Sequence, residues 1–421
     1  MRAAAIVVVV AQLVAASGLL VHALVQLRLL AAARAAARTA PPPPPGELPF
    51  VTVQLPVFNE RLTVCRLLDA VAALDYPRER LAVQVLDDST DETSSLVDRW
   101  IGRRTDDLDV CALRRTSREG FKAGALRAAL ERTRPGLIAV FDADFVPRPD
   151  FLLRTVGHFR DPHAGVVQAR WMVANRNDSL VARTAALMLD AHFDIEQRGR
   201  AALGCFVGFN GTAGVWRTEA IRQAGGWSDR TLTEDVDLSF RAQLSGWRVV
   251  YEPGVTVPCE VPAGFGAFRI QQRRWNKGVA QNARRLAPRV LRTRRPTGVR
   301  LLATAQLLET CVYLALAATL LLWAPVVWFA ARGDVPWPLA ADPPLLLALL
   351  LLLPSYRHAW TSATGDRSWP RFAREYAGFI AVAFALVVPS AAAVLDGLLR
   401  DGGEFVRTPK GARLESETGQ S

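Results

Sequence analysis

The sequence predicts an α/β domain built on a mainly parallel sheet with helices on both faces, joined to α-helical membrane segments. Short apolar, strand-like runs alternate with helical stretches from Phe50 onward. That alternation implies parallel strands connected by crossover helices. An apolar run from Ala3 to Leu27, broken only by Gln12, Ser17, His22 and Gln26, is long enough to cross about 30 Å of hydrocarbon. Finally, Asp87-Asp88, Asp142-Ala143-Asp144 and Thr233-Glu234-Asp235 fall at the ends of strands or the starts of helices. In a parallel sheet such groups collect at one rim, where open α/β sheets bind ligands.

The elements follow in order. Arg2 before the apolar run and Val21-His22-Ala23 within it also suit a cleaved signal peptide, but the length favours an anchor. Arg28, Arg34 and Arg38 flank the run on its far side, which puts that flank in the cytoplasm and the N-terminus outside. Pro41 to Pro45 reads as a stiff polyproline II spacer. Phe50 to Leu55 reads as a strand, followed by a helix from about Glu60 capped by Asn59. Ala82 to Leu86 is a second strand, and Ser89-Thr90-Asp91-Glu92 has capping-box spacing for a helix through about Gly102. Residues 108–113, 137–141 and 165–171 are further strands, with helices near 121–132, 149–159 and 178–199. An amphipathic helix opens at Thr233-Glu234-Asp235 and ends at Gly246. After Arg300 come apolar spans at Leu301 to Ala331, Leu345 to Leu353 and Tyr376 to Leu399. With the first anchor these make four, but three later crossings would leave the basic tail outside. One segment is therefore expected not to cross: either residues 391–399, lying along the interface as a short helix, or the short Pro343 to Leu353 span.

The 421 residues, 50% of them hydrophobic, allow one α/β domain of about 250 residues plus these spans. The formal charge of +11 raises the question of nucleic acid, but eleven Lys and Arg residues and no acid lie between Arg269 and Arg300. A basic stretch just before an apolar span reads as a lipid-facing segment, and no nucleic-acid partner is expected. The five cysteines show no CxxC spacing and the five histidines no HExxH, so neither a zinc site nor a disulfide framework is expected. The organisation read is an anchor (1–30), a linker (31–49), a cytoplasmic α/β domain (50–260), a basic interfacial segment (261–300), membrane and interfacial helices (301–399) and a tail (400–421).

Several residues carry candidate chemistry. Pro56, Asn59 and Glu60 sit in the loop closing the first strand, where backbone N–H groups and side chains suit a nucleotide; an ordinary strand-to-helix turn explains them equally. Asp87 and Asp88, after the second strand, suit a base N–H or a ribose hydroxyl; helix capping is the alternative. Asp142 and Asp144 follow the apolar Leu137 to Phe141, and two carboxylates beside a core are costly unless paired or metal-bound. They suit Mg²⁺ or Mn²⁺, whose remaining ligands are phosphate oxygens and water. Lys122 at a helix start suits a phosphate, or is a surface lysine. Asp235 at a helix N-terminus suits a general base, with capping as the plain alternative. Gln271, Arg274 and Trp275 offer an amide, a guanidinium and an aromatic platform for a sugar and a diphosphate; an interfacial helix uses the same residues.

Taken together, the motifs resemble the membrane-bound processive branch of glycosyltransferase family 2, which includes cellulose, chitin, hyaluronan and mannan synthases. The resemblance covers about residues 50–280. Leu86-Asp87-Asp88-Ser89-Thr90-Asp91, Lys122-Ala123-Gly124-Ala125-Leu126, Phe141-Asp142-Ala143-Asp144-Phe145 and the stretch from Phe209-Asn210-Gly211-Thr212 to Arg217 are most similar to the cellulose-synthase-like glucomannan mannosyltransferase group. It implies a GT-A domain and an inverting hexosyltransferase using UDP-glucose or GDP-mannose. Asp87 or Asp88 would bind the nucleotide, Asp142 and Asp144 the metal and diphosphate, and Asp235 would deprotonate the acceptor. Lys122 and Arg274 join the donor side; Asn210, Gly211, Thr212, Glu234, Gln271 and Trp275 join the acceptor side. Phe405, Thr408 and Lys410, in Phe405 to Lys410, resemble a gating loop that closes over the nucleotide. The implied acceptor is a β-linked polysaccharide, or alternatively a lipid, with membrane lipids, other subunits or a second copy as partners. Cellulose synthases have more membrane helices and often a regulatory domain, so a complete polysaccharide channel is not expected within this sequence.

Overall fold

Seven strands form one sheet in the order β3-β2-β1-β4-β6-β5-β7 in the computed structural model of the protein, which describes residues 2–36, 46–103, 108–403 and 406. They are β1 (Val51–Val57), β2 (Leu81–Asp87), β3 (Asp109–Leu113), β4 (Leu137–Val140), β5 (Ala164–Val173), β6 (Gly214–Arg217) and β7 (Arg248–Cys259). Only β6 runs antiparallel to its neighbours, β4 and β5; the other pairings are parallel. The mainly parallel α/β sheet read from the sequence is therefore the fold.

Side-chain alternation along the strands builds a core on each face. Val51, Val53, Leu55, Leu137 and Ala139 pack on one side with the helices Val64–Ala72, Thr93–Gly102 and Phe151–Val156. Ile138, Val140, Val166 and Trp216 pack on the other with Phe121–Leu130, Thr218–Gln223 and Glu234–Leu244. Because β1, β2 and β4 are parallel, their carboxyl ends at Val57, Asp87 and Val140 share one rim. The reversed β6 starts at that rim, since Gly214 pairs with Val140. Its leading loop, residues 210–213, is thereby delivered to the same place.

Several local expectations need correction. The helix expected from Glu60 begins at Val64 with Thr63 at its N-cap, not Asn59. Asn59 has φ +55° and its side chain accepts from the Thr90 N–H, so it braces a loop instead of a helix. The Ser89–Glu92 capping box does not form: the helix opens at Thr93, and the Ser89 hydroxyl accepts from the Asn59 N–H. The helix expected over 178–199 is interrupted by a π-helical turn, His192–Gln197.

The chain divides into two compact units. One holds Ala37–Ala182, Phe206–Ala267 and Gly402–Ser421 and contains the sheet; the other holds Met1–Ala36, Arg183–Cys205 and Phe268–Asp401. In the second, the helix Arg2–Ala35 packs on Val312–Ala331 and Pro343–Thr364. It is also tied by polar groups: Gln26 donates to Glu196 at 2.6 Å, and Arg200 bridges Glu196 and Glu309 at 3.3 and 3.2 Å.

The apolar spans also differ from the sequence reading. Leu301 to Ala331 is two helices, Thr297–Leu307 and Val312–Ala331, interrupted where Glu309 turns to Arg200. The short leucine-rich span extends as a helix to Thr364. Tyr376 to Leu399 is split at Leu386 into helices bent by 52°. Among the described residues two helices, Arg2–Ala35 and Glu309–Ala331, are long and apolar enough to cross a membrane, or three if the bent pair is one span. The polyproline run and Phe405, Thr408 and Lys410 lie outside the described residues.

Candidate active site

Lys122 is the hub. It lies on the second residue of the helix Phe121–Leu130, which is preceded by Gly120 at φ +69°, while Phe121 itself has φ +49°. Its Nζ donates to Asp142 Oδ1 at 2.6 Å and to the Gly211 carbonyl at 3.0 Å, and lies 3.8 Å from Glu234 Oε1. Asp142 follows β4, and its N–H donates to the Thr212 hydroxyl at 2.8 Å. Asp235 opens the helix Glu234–Leu244 beside Gly211, where a Cβ would come within 2.9 Å of Asp235 Oδ2. Four separate stretches thus meet around one bare Cα. Gly211 at φ +84° and Ala213 at φ +53° shape the turn that does this, and strained backbone of this kind concentrates at functional sites.

The electrostatics are uneven. Burial opposes the Lys122 charge, but Asp142 and Glu234 outweigh it and raise its pKa. For Asp235, burial and then the neighbouring Glu234 push the carboxyl up to about 7, against the pull of Lys122. A carboxyl held there is poised to take a proton near neutral pH.

A second group lies along the rim. Asp87 accepts from Arg114 Nε at 2.9 Å and from the Ser89 N–H at 3.0 Å. Asp88 is held by Arg115 through Nε at 3.0 Å and through Nη2. Burial raises the Asp87 pKa, but hydrogen bonds from Ser94, Ser89 and Arg114 outweigh it, leaving it below the usual value. Arg118 stacks over the Phe58 ring at 3.3 Å from its centroid, while the Glu60 carboxylate accepts from the Thr63 hydroxyl at 3.3 Å. Pro56 lies within β1, opposite Leu86. Arg115 also donates to the Phe121 carbonyl at 3.0 Å, which links this group to the Lys122 helix.

The structure therefore brings together Asp142, Lys122, Gly211, Thr212, Glu234 and Asp235, with Asn210 one residue away. Asp144 is buried just past Asp142. Gln271, Arg274 and Trp275 lie in the helix Phe265–Leu291, within the other unit. Sequence reasoning missed Arg114, Arg115 and Gln168. Arg114-Arg115 directly after the strand neighbouring β2 was a usable signal; a buried glutamine within a strand gave none.

Two family models match this chain: Glycosyl transferase family 2 over residues 52–218, and Glycosyl transferase family group 2 over residues 137–360. The second covers more than half of the sequence. The chain belongs to glycosyltransferase family 2. Among relatives of this glycosyltransferase, a probable glucomannan 4-beta-mannosyltransferase 7 of Oryza sativa subsp. japonica is 45% identical over 256 residues, covering 58% of this chain and 43% of the relative. Glucomannan 4-beta-mannosyltransferase 2 of Arabidopsis thaliana is 41% identical over 256 residues, covering 59% and 47%. The chain spans about half the length of the curated relatives it matches. A mannosyltransferase from Pyrobaculum calidifontis, solved in complex with GDP-Man and Mn2+, superposes with a TM-score of 0.60 at 26% identity, over 92% of this chain and 99% of that one.

Proposed function

We propose that this glycosyltransferase is membrane-embedded and transfers mannose from GDP-mannose, with inversion, to a growing β-linked polysaccharide, its sheet-containing unit on the cytoplasmic side. The convergence of Lys122, Asp142 and Asp235 on Gly211 carries the reading. The donor choice follows the mannosyltransferase relatives and the GDP-Man bound to the Pyrobaculum protein.

In this reading Asp235 accepts the proton of an acceptor hydroxyl. That oxygen forms a bond to the sugar's anomeric carbon from the face opposite the diphosphate. The bond to the diphosphate oxygen breaks, and the configuration inverts. Asp87 and Asp88, fixed by Arg114 and Arg115, hold the nucleoside, with Pro56, Asn59 and Glu60 framing it. Lys122 faces the diphosphate; Glu234, Asn210, Gly211 and Thr212 bound the acceptor.

The donor set fits a hard divalent cation: Asp142 and the buried Asp144 offer carboxylate oxygens. Among the described residues no three His, Cys, Asp or Glu side chains group as a cage, so phosphate and water would complete the shell. When bound, Mg²⁺ or Mn²⁺ neutralises charge on the departing diphosphate.

Membranes holding the protein, given labelled GDP-mannose or UDP-glucose with and without chelator, test this. Mannanase-sensitive polymer from GDP-mannose, lost on chelation, is expected. Label that extracts with lipid would move the acceptor to a glycolipid, and no transfer from either donor would overturn the reading.

A further inference from the structure

Gln168, in the middle of β5, has no accessible surface, yet its amide is fully used. Its Oε1 accepts from the Asn210 N–H at 2.8 Å, and its Nε2 donates to the carbonyls of Ala169 at 2.7 Å, Thr212 at 3.2 Å and Ala213 at 3.2 Å. Three of these four partners belong to the turn 210–213. We propose that Gln168 is a positioning residue for sugar transfer, setting this turn and through it Lys122 and Asp142 beside Asp235; this rests on Asp235 as the base.

The turn needs such a brace. Left-handed conformations at Gly211 and Ala213 bend the chain just ahead of β6, and among residues 210–213 it is Ala213 that joins the strand backbone, at Val140 and Ala169. Buried backbone groups without partners cost roughly 1–3 kcal/mol each, and Gln168 supplies an acceptor at one end and a donor at the other. The site hangs from the same peptide groups. The Gly211 carbonyl accepts from Lys122, the Thr212 hydroxyl accepts from the Asp142 N–H, and the Ala213 N–H donates to the Val140 carbonyl at 2.9 Å. A glutamine suits this place because its amide accepts and donates from one planar group. A glutamate would turn a carboxylate on three carbonyls. A methionine would fill the space but leave the turn unbraced.

Gln243 is the natural comparator. It too is buried, accepting from the Val207 N–H at 3.0 Å and donating to the Val207 and Ser239 carbonyls, both at 2.9 Å. It braces the same stretch of chain three residues earlier, but no site residue hangs from Val207. Both glutamines are structural; only one should be kinetic.

The full chain in membranes carrying Gln168→Met, Gln168→Glu or Gln243→Met would be compared for kcat, donor KM, GDP binding and thermal midpoint. A displacement of about 1 Å at a reacting group costs about 100-fold, so both Gln168 variants are expected to lose kcat by about 30-fold or more, with donor KM and GDP affinity within about threefold. Gln243→Met is expected to lower the midpoint comparably while kcat stays within about threefold of wild type. Retained GDP binding shows that a slow variant is folded. Wild-type kcat in Gln168→Met, or equal kcat losses in the Gln168 and Gln243 variants, would overturn the positioning role alone. A wild-type chain that transfers no sugar, or an Asp235→Asn chain as active as wild type, would instead overturn the reading beneath it.

Discussion

Asp87 and Asp142 follow strands separated only by β1, at the same rim, yet their surroundings differ in kind. Near Asp87 each carboxylate accepts from an arginine: Arg114 for Asp87, which also reaches Asp98 at 2.8 Å, and Arg115 for Asp88. Near Asp142 one lysine is shared with Glu234, and Asp235 stands beside them with a carboxyl raised to about 7. Against its burial, hydrogen bonds from Ser94, Ser89 and Arg114 hold Asp87 in its charged form. Burial, and then the neighbouring Glu234, leave the Asp235 carboxyl able to change its charge near neutral pH, as proton transfer requires. The same residue type is thus held in two electrostatic settings by its burial and by the hydrogen bonds around it.

The largest test of that contrast is Asp235→Asn, expected to lower kcat by about 10²- to 10⁴-fold with donor KM little changed, measured by steady-state sugar transfer. An equal loss in KM would merge the two regions into one binding surface. Next, Lys122→Met removes the shared cation; kcat should fall by about 10- to 100-fold. The ascending limb of the kcat/KM profile, near pH 7 in the wild type, should then move to higher pH. Glu234→Gln should move it lower. Asp88→Asn should act on the other region only, raising donor KM about tenfold, worth about 1.4 kcal/mol, with the limb unmoved.

The smallest effect is in stability, and its sign differs between the regions. Asp235 binds its proton more tightly folded than unfolded, so its contribution is complete at acid pH and is lost as pH rises from about 4 toward 7. Asp87 is depressed, so its contribution holds above the unfolded value near 4 and is lost as pH falls. Relative to wild type, Asp235→Asn should gain thermal midpoint between pH 5 and 8, whereas Asp87→Asn should lose it at neutral pH. Two shifts of the same sign in thermal melts would remove the distinction.

Much of this was legible locally. β1, β2 and β4 are unbroken runs with residues for both faces, and the acids stand directly after them. β6 and β7 were missed for identifiable reasons. β6 is four residues between a glycine-rich turn and a helix. β7 contains Glu252-Pro253-Gly254, where its register on β5 jumps from Glu252 to Thr256, and proline and glycine there read as a turn. Within the site, the carboxylates and Lys122 were visible as residue types. Their supports were not, because Arg114, Arg115 and Gln168 act through partners 27 to 45 positions away. Asn59 misled for a related reason. Its side chain suits a cap, but a partner at Thr90 claims it and the helix waits until Val64.

Gly211 has a further consequence for how such an enzyme can change over generations. A single methyl there would press on Asp235 and lie 3.5 Å from Lys122, in a backbone conformation that side chains resist. The centre of the site is therefore closed to gradual mutation, since even the smallest step meets a wall. At Asp87 and Asp88 a substitution meets lost ion pairs instead of a steric wall. Under the proposed assignment of the two regions, lineages sharing this centre would diverge in the nucleotide they accept before they diverge in the reaction they perform.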